Sequence, residues 1–467
     1  MAFIRKIKKK SGTYLAEVEN YREEGKVKQR VLKYIGIEVE GSTHRSVRTS
    51  DINITEIKEY LNFHAIHTAA CELGFDNLFE EKSKYILLMV YSHLVENLSI
   101  NKMKDWIHKT ELPALLNLTD IGSNTLYQML DYLESLNWDK INEAIVKQWF
   151  TKYRESKNTA IIIDVTDTYF NGSQAEWKKR KGKDGKYDKL VQIGLAVSGQ
   201  HGFPLKHKMY EGNIGNTKIM SDFISDIKMM GLKTVIIDRG MTSIDNLNEF
   251  KELKVECIAG VKSNQKLEKE FLDKLSRDEI YSKKNMVKLK DTVVYAKSYK
   301  FMYGNIIVIY NPEIEVHQRN KLLSKENNTD NEIVKMKYYG YSFIFHSTNS
   351  DTENVVKKYY EKDIVEKSFR QIKGVLSLHP IRLKLLDRVS AHVKICYLSY
   401  CILSLLKFKL KKIDISPVDA LEELSSAYKV YLEDKKTNFK WQKVVTLKKS
   451  QEKIMKAIDK NFVVYKK

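Results

Sequence analysis

Four cysteines in 467 residues (Cys71, Cys257, Cys396 and Cys401) form no CxxC pair. Their scarcity and spacing exclude a disulfide framework and suit a reducing cytoplasm in which they are core residues. Eleven histidines are scattered along the chain. His64 and His67 share a helix face, but no Cys or His follows them at zinc-site spacing, so no zinc is assigned. Long apolar runs are missing as well: none reaches the about 18 residues that a membrane span needs. The longest candidate, Ile395 to Phe408, contains serines, is flanked by lysines and reads as a buried helix. The first residues are charged rather than signal-like. Acidic residues are in deficit, with 80 Lys plus Arg against 60 Asp plus Glu and a formal charge of +20. Such an excess favours a polyanionic partner, nucleic acid before membrane, and the lack of spans disfavours membrane further.

Against this background two short apolar runs stand out. Ala160-Ile161-Ile162-Ile163 ends in Asp164, and Thr234-Val235-Ile236-Ile237 ends in Asp238. Both are rich in β-branched residues and read as buried central strands. An Asp closing such a strand sits at the carboxyl edge of the sheet, where α/β folds place ligands. A third acid, Glu366, lies on an expected helix. Two strand-end carboxylates and one helix carboxylate can converge on a pair of divalent ions, which stabilise the attacking and leaving oxygens of an in-line phosphoryl displacement. Magnesium, with its preference for oxygen ligands, suits such a site. Each acid also has a plain reading: an Asp after a strand is often a turn former or helix N-cap, and most helix glutamates are solvated. Asp164-Val165-Thr166-Asp167 also has some likeness to an aspartyl-nucleophile motif, but the second acid there usually falls two positions later, not three.

The helix around Glu366 adds to the pattern. Ser350-Asp351-Thr352-Glu353 has the form of a capping box and Gly374 is a natural stop, which predicts one helix over about 351 to 373. Tyr359, Lys362, Glu366 and Lys373 then share a face, beside an apolar stripe of Val365, Phe369 and Ile372. Spacing alone fits a solvated stripe with a Lys–Glu pair at least as well.

The order Tyr359-x2-Lys362-x3-Glu366-x6-Lys373 resembles the Tyr-x2-Arg-x3-Glu-x6-Lys signature of the DDE transposases of bacterial insertion sequences. One position departs from it: Lys362 stands where the family usually has Arg, keeping the charge but losing the bidentate fork. Asp164-Val165-Thr166 with Tyr169-Phe170 is similar to the family's first-acid motif, and Asp238-Arg239-Gly240-Met241 to its second. Gln192 to Val197, Gly202-Phe203-Pro204-Leu205, Tyr210-Glu211-Gly212-Asn213, His379-Pro380-Ile381 and Arg388-x2-Ala391-His392 follow the family pattern in order, so the likeness covers nearly the whole chain. The resemblance implies an α/β fold with an RNase H-like mixed sheet flanked by helices. It implies that Asp164, Asp238 and Glu366 hold two Mg²⁺ ions, with Mn²⁺ as substitute, and that Tyr359, Lys362 and Lys373 touch DNA. The partners it implies are inverted-repeat ends, target DNA and a second protomer, in a bacterial cytoplasm near the nucleoid. A transposase-derived DNA-binding regulator without catalysis remains the rival.

Six regions are expected: a β-meander over 1–50, a helical DNA-binding region over 51–157, and the first part of the core over 158–261. A β-rich insertion domain over 262–348, the second part of the core over 349–410, and a C-terminal helical region over 411–467 complete the chain. Turn signals fall at Ser11-Gly12 and Glu24-Gly25. A periodic stretch at Leu126, Met129, Leu130 and Leu133 fits a helix-turn-helix or an ordinary helical core equally. In relatives the insertion supplies an aromatic, often Trp, that holds a flipped base; this chain has no Trp between 262 and 350. Finally, Lys178, Lys179, Arg180 and Lys181 form a basic loop after the first acid and are expected to grip phosphates near it, although Gly182 and Gly185 also fit a solvated loop.

Overall fold

The computed structural model describes all residues except 1, 10–11, 40–41, 44–50, 119–120, 154, 156–158, 170–178, 183–184, 213, 230–232, 325–332, 375–382, 384, 436–437 and 463–467. These residues fall into two compact units, Met1–Leu61 with Ser425–Leu447, and Asn62–Leu424 with Lys448–Lys467.

In the first unit, strands β1 (Ala2–Lys9), β2 (Gly12–Glu23), β3 (Lys26–Val39) and β4 (Ser42–Thr43) form an antiparallel meander in sequence order. Glu23 pairs with Lys26, so the β2–β3 turn is two residues long. Glu24 and Gly25 both take positive φ, 53° and 76°, the geometry that a tight hairpin requires and that a glycine adopts without cost. A second sheet pairs β5 (Ile52–Glu59) with β16 (Tyr428–Asp434), and β16 with β17 (Lys440–Val444). Regions 51–157 and 411–467, expected to be helical, therefore each contribute strands. The signal was there in the two-residue spacing of Ile52 and Ile54 and of Val430 and Leu432; Ile57 falls out of that period because the ladder carries a bulge opposite Tyr431 and Leu432.

The second unit is built on one mixed sheet. Strands β6 (Ile161–Tyr169), β7 (Lys179–Lys181), β8 (Tyr187–Ser198), β9 (Pro204–Glu211), β10 (Thr234–Ile237) and β11 (Glu256–Val261) come first in the chain. They are followed by β12 (Met286–Lys288), β13 (Val293–Phe301), β14 (Gly304–Tyr310) and β15 (Tyr341–His346). The spatial order is β12-β13-β14-β15-β11-β10-β6-β8, with β7 and β9 both pairing with β8. β10 runs parallel to β6 and β11, and every other pairing is antiparallel. The residues of β6 and β10 up to the two aspartates are almost wholly buried, as continuous β-branched runs in a centrally placed parallel pair should be.

The segment 262–348 extends this same sheet through β15 rather than standing apart from it. It carries its own apolar cluster, in which Phe271, Ile280, Ile306, Val308 and Phe343 pack together. Although no unbroken apolar run is of span length, helix Leu386–Leu410 with its continuation to Ile413 is on average apolar enough, and long enough, to cross a membrane, yet it is mostly buried inside the protein. Helices Ser83–Val95 and Ser123–Ser135 pack on it. Leu126, Met129, Leu130 and Leu133 are buried, so the periodic stretch is the core-facing side of a helix. Arg388 fastens the long helix to Asp131 through two hydrogen bonds of 2.8 and 2.9 Å.

Candidate metal-binding active site

The parallel register of β6 and β10 pairs Ile161 with Val235, Ile162 with Ile236 and Ile163 with Ile237. The next pair of positions is Asp164 and Asp238, side by side where the parallel pairing stops. Neighbouring strands lie about 4.8 Å apart, and in-register positions of parallel neighbours face the same side of the sheet. The two strands differ beyond this point. β10 ends, and Asp238 opens a turn in which its carbonyl accepts from the Met241 amide at 3.0 Å. β6 continues to Tyr169 in antiparallel pairing with β8, with Asp164 opposite Leu195. Asp164 therefore stands within its strand rather than at its end, because Val165, Thr166, Thr168 and Tyr169 supply further β-favouring residues.

Neither aspartate is a helix cap. The helix after β10, Ile244–Glu252, is capped by the Ser243 hydroxyl, which accepts from the Asn246 amide. The Asp164 carboxylate accepts from the Val165 amide at 2.7 Å. The Asp238 carboxylate accepts from Lys362 Nζ at 2.6 Å and from the Tyr359 hydroxyl at 3.3 Å. Both donors come from the expected signature, 121 and 124 residues away in the chain.

The segment that carries them is two helices, Thr352–Tyr360 and Asp363–Gly374, not one. The joint at Glu361 and Lys362 tightens: Lys362 N donates to the Tyr359 carbonyl and Val365 N to the Lys362 carbonyl, each across three residues. On either side of this step Tyr359 and Lys362 both reach the Asp238 carboxylate. Asp351, not Ser350, provides the first cap, accepting from the Asn354 amide at 2.8 Å. Glu366 lies exposed in the first turn of the second helix. That helix packs on β6 and β8 through its buried Val365, Phe369 and Ile372, and Ser368 is bonded to Tyr400 of the long helix.

Charges are balanced locally. Burial alone would raise the Asp238 pKa, but the Lys362 ammonium outweighs it and holds the carboxyl below its usual range. Burial likewise works against the Lys362 charge, yet its neighbours Tyr359, Asp238 and Glu366 together push its pKa above the ordinary lysine value. Burial pushes the Tyr359 phenol up to about 12. The three carboxylates are not gathered within 4.8 Å of one another. Like charges repel, and a pair of ions about 3.5–4 Å apart is served by carboxylates spread more widely than that. An all-oxygen, all-carboxylate donor set on neighbouring elements fits hard divalent cations.

Gly260 completes the arrangement and was not singled out from the sequence. A Cβ there would collide with the Tyr359 hydroxyl, and would lie 3.0 Å from Tyr359 Cζ and 3.1 Å from the Arg239 amide nitrogen. Only a bare backbone on β11 lets Tyr359 reach Asp238. The available signal was a lone glycine inside the apolar run Cys257-Ile258-Ala259-Gly260-Val261, which marks a close approach.

The basic residues divide. Lys178 lies outside the described residues, as does the side chain of Lys373. Lys179 and Lys181 are exposed on β7, which pairs with β8 and turns back at Gly185, φ 86°. Arg180 is committed: its guanidinium donates to the Gly212 carbonyl at 2.7 Å and stitches the hairpin to the end of β9. The described part of the basic segment, Lys179 to Lys181, is therefore an edge strand paired with β8.

Residues 155–402 match the family described as transposase DDE domain, and residues 4–44 match the family described as IS1634 family transposase, N-terminal domain. Among solved structures, the chain is similar to a piggyBac transposase in a synaptic complex with hairpin DNA. The identity is 12%, with 74% of this chain and 70% of that one covered and a TM-score of 0.43. No curated protein matches.

Proposed function

Because the chain belongs to the DDE transposase family, an enzyme class that cuts and joins DNA with divalent metal ions, we propose that it acts on the inverted-repeat ends of its own element through Asp164, Asp238 and Glu366. The observation that carries this reading is the convergence on Asp238: the strand-end neighbour of Asp164 is also the anchor of Tyr359 and Lys362, one turn before Glu366. The strand order β9-β8-β6-β10-β11, antiparallel through β6 and parallel beyond it, supports an RNase H-like core.

Two Mg²⁺ ions, or Mn²⁺ in their place, would be held by the three carboxylates and would supply an activated water or 3′-hydroxyl and a stabilised leaving oxygen. The protein's own residues prepare the site. Asp238 is kept ionised by Lys362, which is the condition for ligating a cation. Gly260 and the helix joint hold Tyr359 and Lys362 in place. Lys362 and Lys373 are assigned to phosphates beside the scissile bond, Lys362 as a point charge without the bidentate geometry of arginine. Two protomers bridging two ends would form the working assembly.

Purified protein should nick or cut end-bearing DNA with Mg²⁺ or Mn²⁺ and do nothing in chelator. Ca²⁺, with its looser coordination, should support binding without efficient cleavage. Binding to ends with no cutting under any of these metals would favour a catalytically silent regulator instead.

The hairpin predicts a separate effect. Neutralising Lys179 and Lys181 together should weaken binding to all DNA sequences alike and flatten the salt dependence by up to about one unit of slope per lost contact. Arg180→Ala should act differently, loosening the hairpin and lowering the unfolding temperature, since its guanidinium is spent on protein carbonyls. A salt slope unchanged by the double lysine variant would remove the hairpin from the DNA interface.

A further inference from the structure

Away from the carboxylates, helix Ser83–Val95 packs against the long helix Leu386–Leu410. At their contact lie His93 from the first and His392 and Cys396 from the second. Residues 392 and 396 are four apart and share a helix face. One ligand atom from each of the three side chains lies within 4.8 Å of the other two. The Cys396 thiol is 3.7 Å from His392 Nε2, and the two imidazole rings meet edge to face with centroids 5.0 Å apart. Ligands held about 2.0–2.3 Å from one zinc ion stand roughly 3.3–3.8 Å from each other, so a small inward adjustment closes the set around an ion.

We propose that His93, His392 and Cys396 form a binding site for one thiophilic d¹⁰ cation, Zn²⁺ or Cu⁺, that pins the two helices together. Two imidazoles and a thiolate form a soft-to-borderline donor set, which discriminates against Mg²⁺ and leaves that ion to the carboxylates. Burial depresses the His392 pKa to about 3, so the ring is neutral and its lone pair is available at physiological pH. Burial pushes the Cys396 thiol up, so it ligates by giving its proton to solvent as the cation takes the proton's place, with no electron transferred. A monovalent ion with one thiolate is neutral and needs only three ligands. A divalent ion would carry one net positive charge and recruit a water as fourth ligand. The role is structural: Tyr400, four residues beyond Cys396, bonds to Ser368 of the Glu366 helix, so an ion here would stiffen the platform on which that helix rests.

The test uses the full chain, reduced and stripped with chelator, titrated with Co²⁺ as a spectroscopic probe. One equivalent should produce a thiolate-to-cobalt charge-transfer band that Zn²⁺ bleaches, and metal should raise the unfolding midpoint by several degrees. Cys396→Ser should abolish the band. Cys71→Ser should keep it, although Cys71 lies 3.5 Å from His67 Nε2 in the other His–Cys pair. Asp164→Asn should also keep it, which separates this site from the carboxylates and from the reading of the active site. X-ray absorption on zinc-loaded wild type should count one sulfur and two nitrogens, which holds whether or not Cys396→Ser folds. Competition against chromophoric chelators for Zn²⁺ and, under ascorbate, for Cu⁺ assigns the ion by which one is retained. The proposal is overturned if neither ion is retained, if the band follows Cys71, or if the bound metal has only oxygen ligands, in which case the trio is a packed polar contact in the core.

Discussion

Exchanging Asp164 or Asp238 for Asn, or Glu366 for Gln, one at a time, is expected to abolish strand cleavage while leaving end binding intact or slightly tighter. Each exchange preserves shape and removes one negative charge. In a site that works by holding cations the charge is the function, and its loss should exceed the about 10–100-fold penalty of removing a group that merely orients a metal ligand. DNA binding should respond the other way, because clustered carboxylates repel phosphate when no cation offsets them. Asp238→Asn has an additional signature. It also leaves Lys362, whose side chain is only one-fifth exposed, without its ion-pair partner, so this variant alone should lose some thermal stability. Cleavage retained by all three variants would reduce the acids to strand and helix residues.

The next largest effect is expected from a single methyl group. Gly260→Ala places a Cβ where the Tyr359 hydroxyl now sits. β11 is held between β10 and β15 and cannot easily retreat, so Tyr359 must move. Overpacking of this kind costs about 1–3 kcal/mol. The displacement falls on the segment that delivers Lys362 and Glu366, so cleavage should drop more steeply than stability. Tyr359→Phe removes the oxygen that the new methyl would strike first. In a double-mutant cycle, Gly260→Ala should therefore cost less in the Tyr359→Phe background than in the wild type. Additive effects would mean that the alanine acts elsewhere, for example on the Arg239 turn.

Much of this arrangement could be read from the chain before any coordinates. Runs of three isoleucines, or of Val-Ile-Ile, before an aspartate specify buried strands by their unbroken β-branched character; that β6 and β10 pair in parallel comes from the fold. The Tyr359-x2-Lys362-x3-Glu366 spacing grouped two residues, Tyr359 and Lys362, that the fold brings onto the Asp238 carboxylate. Where the reading went astray, long-range packing decided the outcome. The break at Glu361 and Lys362 carries no proline or glycine to announce it, and it falls where Tyr359 and Lys362 meet Asp238. Arg180 reads as a free cation in the run Lys178 to Lys181, and only the fold reveals that it is tied to Gly212. Strand pairing between β5 and β16 joins residues far apart in sequence, so neither half shows its partner. His93 and His392 share no local spacing at all, and it is helix packing that brings them together.

The central claim is that Asp164, Asp238 and Glu366 together hold divalent ions. Anomalous diffraction from crystals of the protein bound to end DNA in Mn²⁺ tests it most directly. The account predicts manganese peaks ligated by all three carboxylates beside the scissile phosphate. Manganese bound elsewhere, or a site that excludes any one of the three acids in a complex that still cuts its DNA, would contradict it.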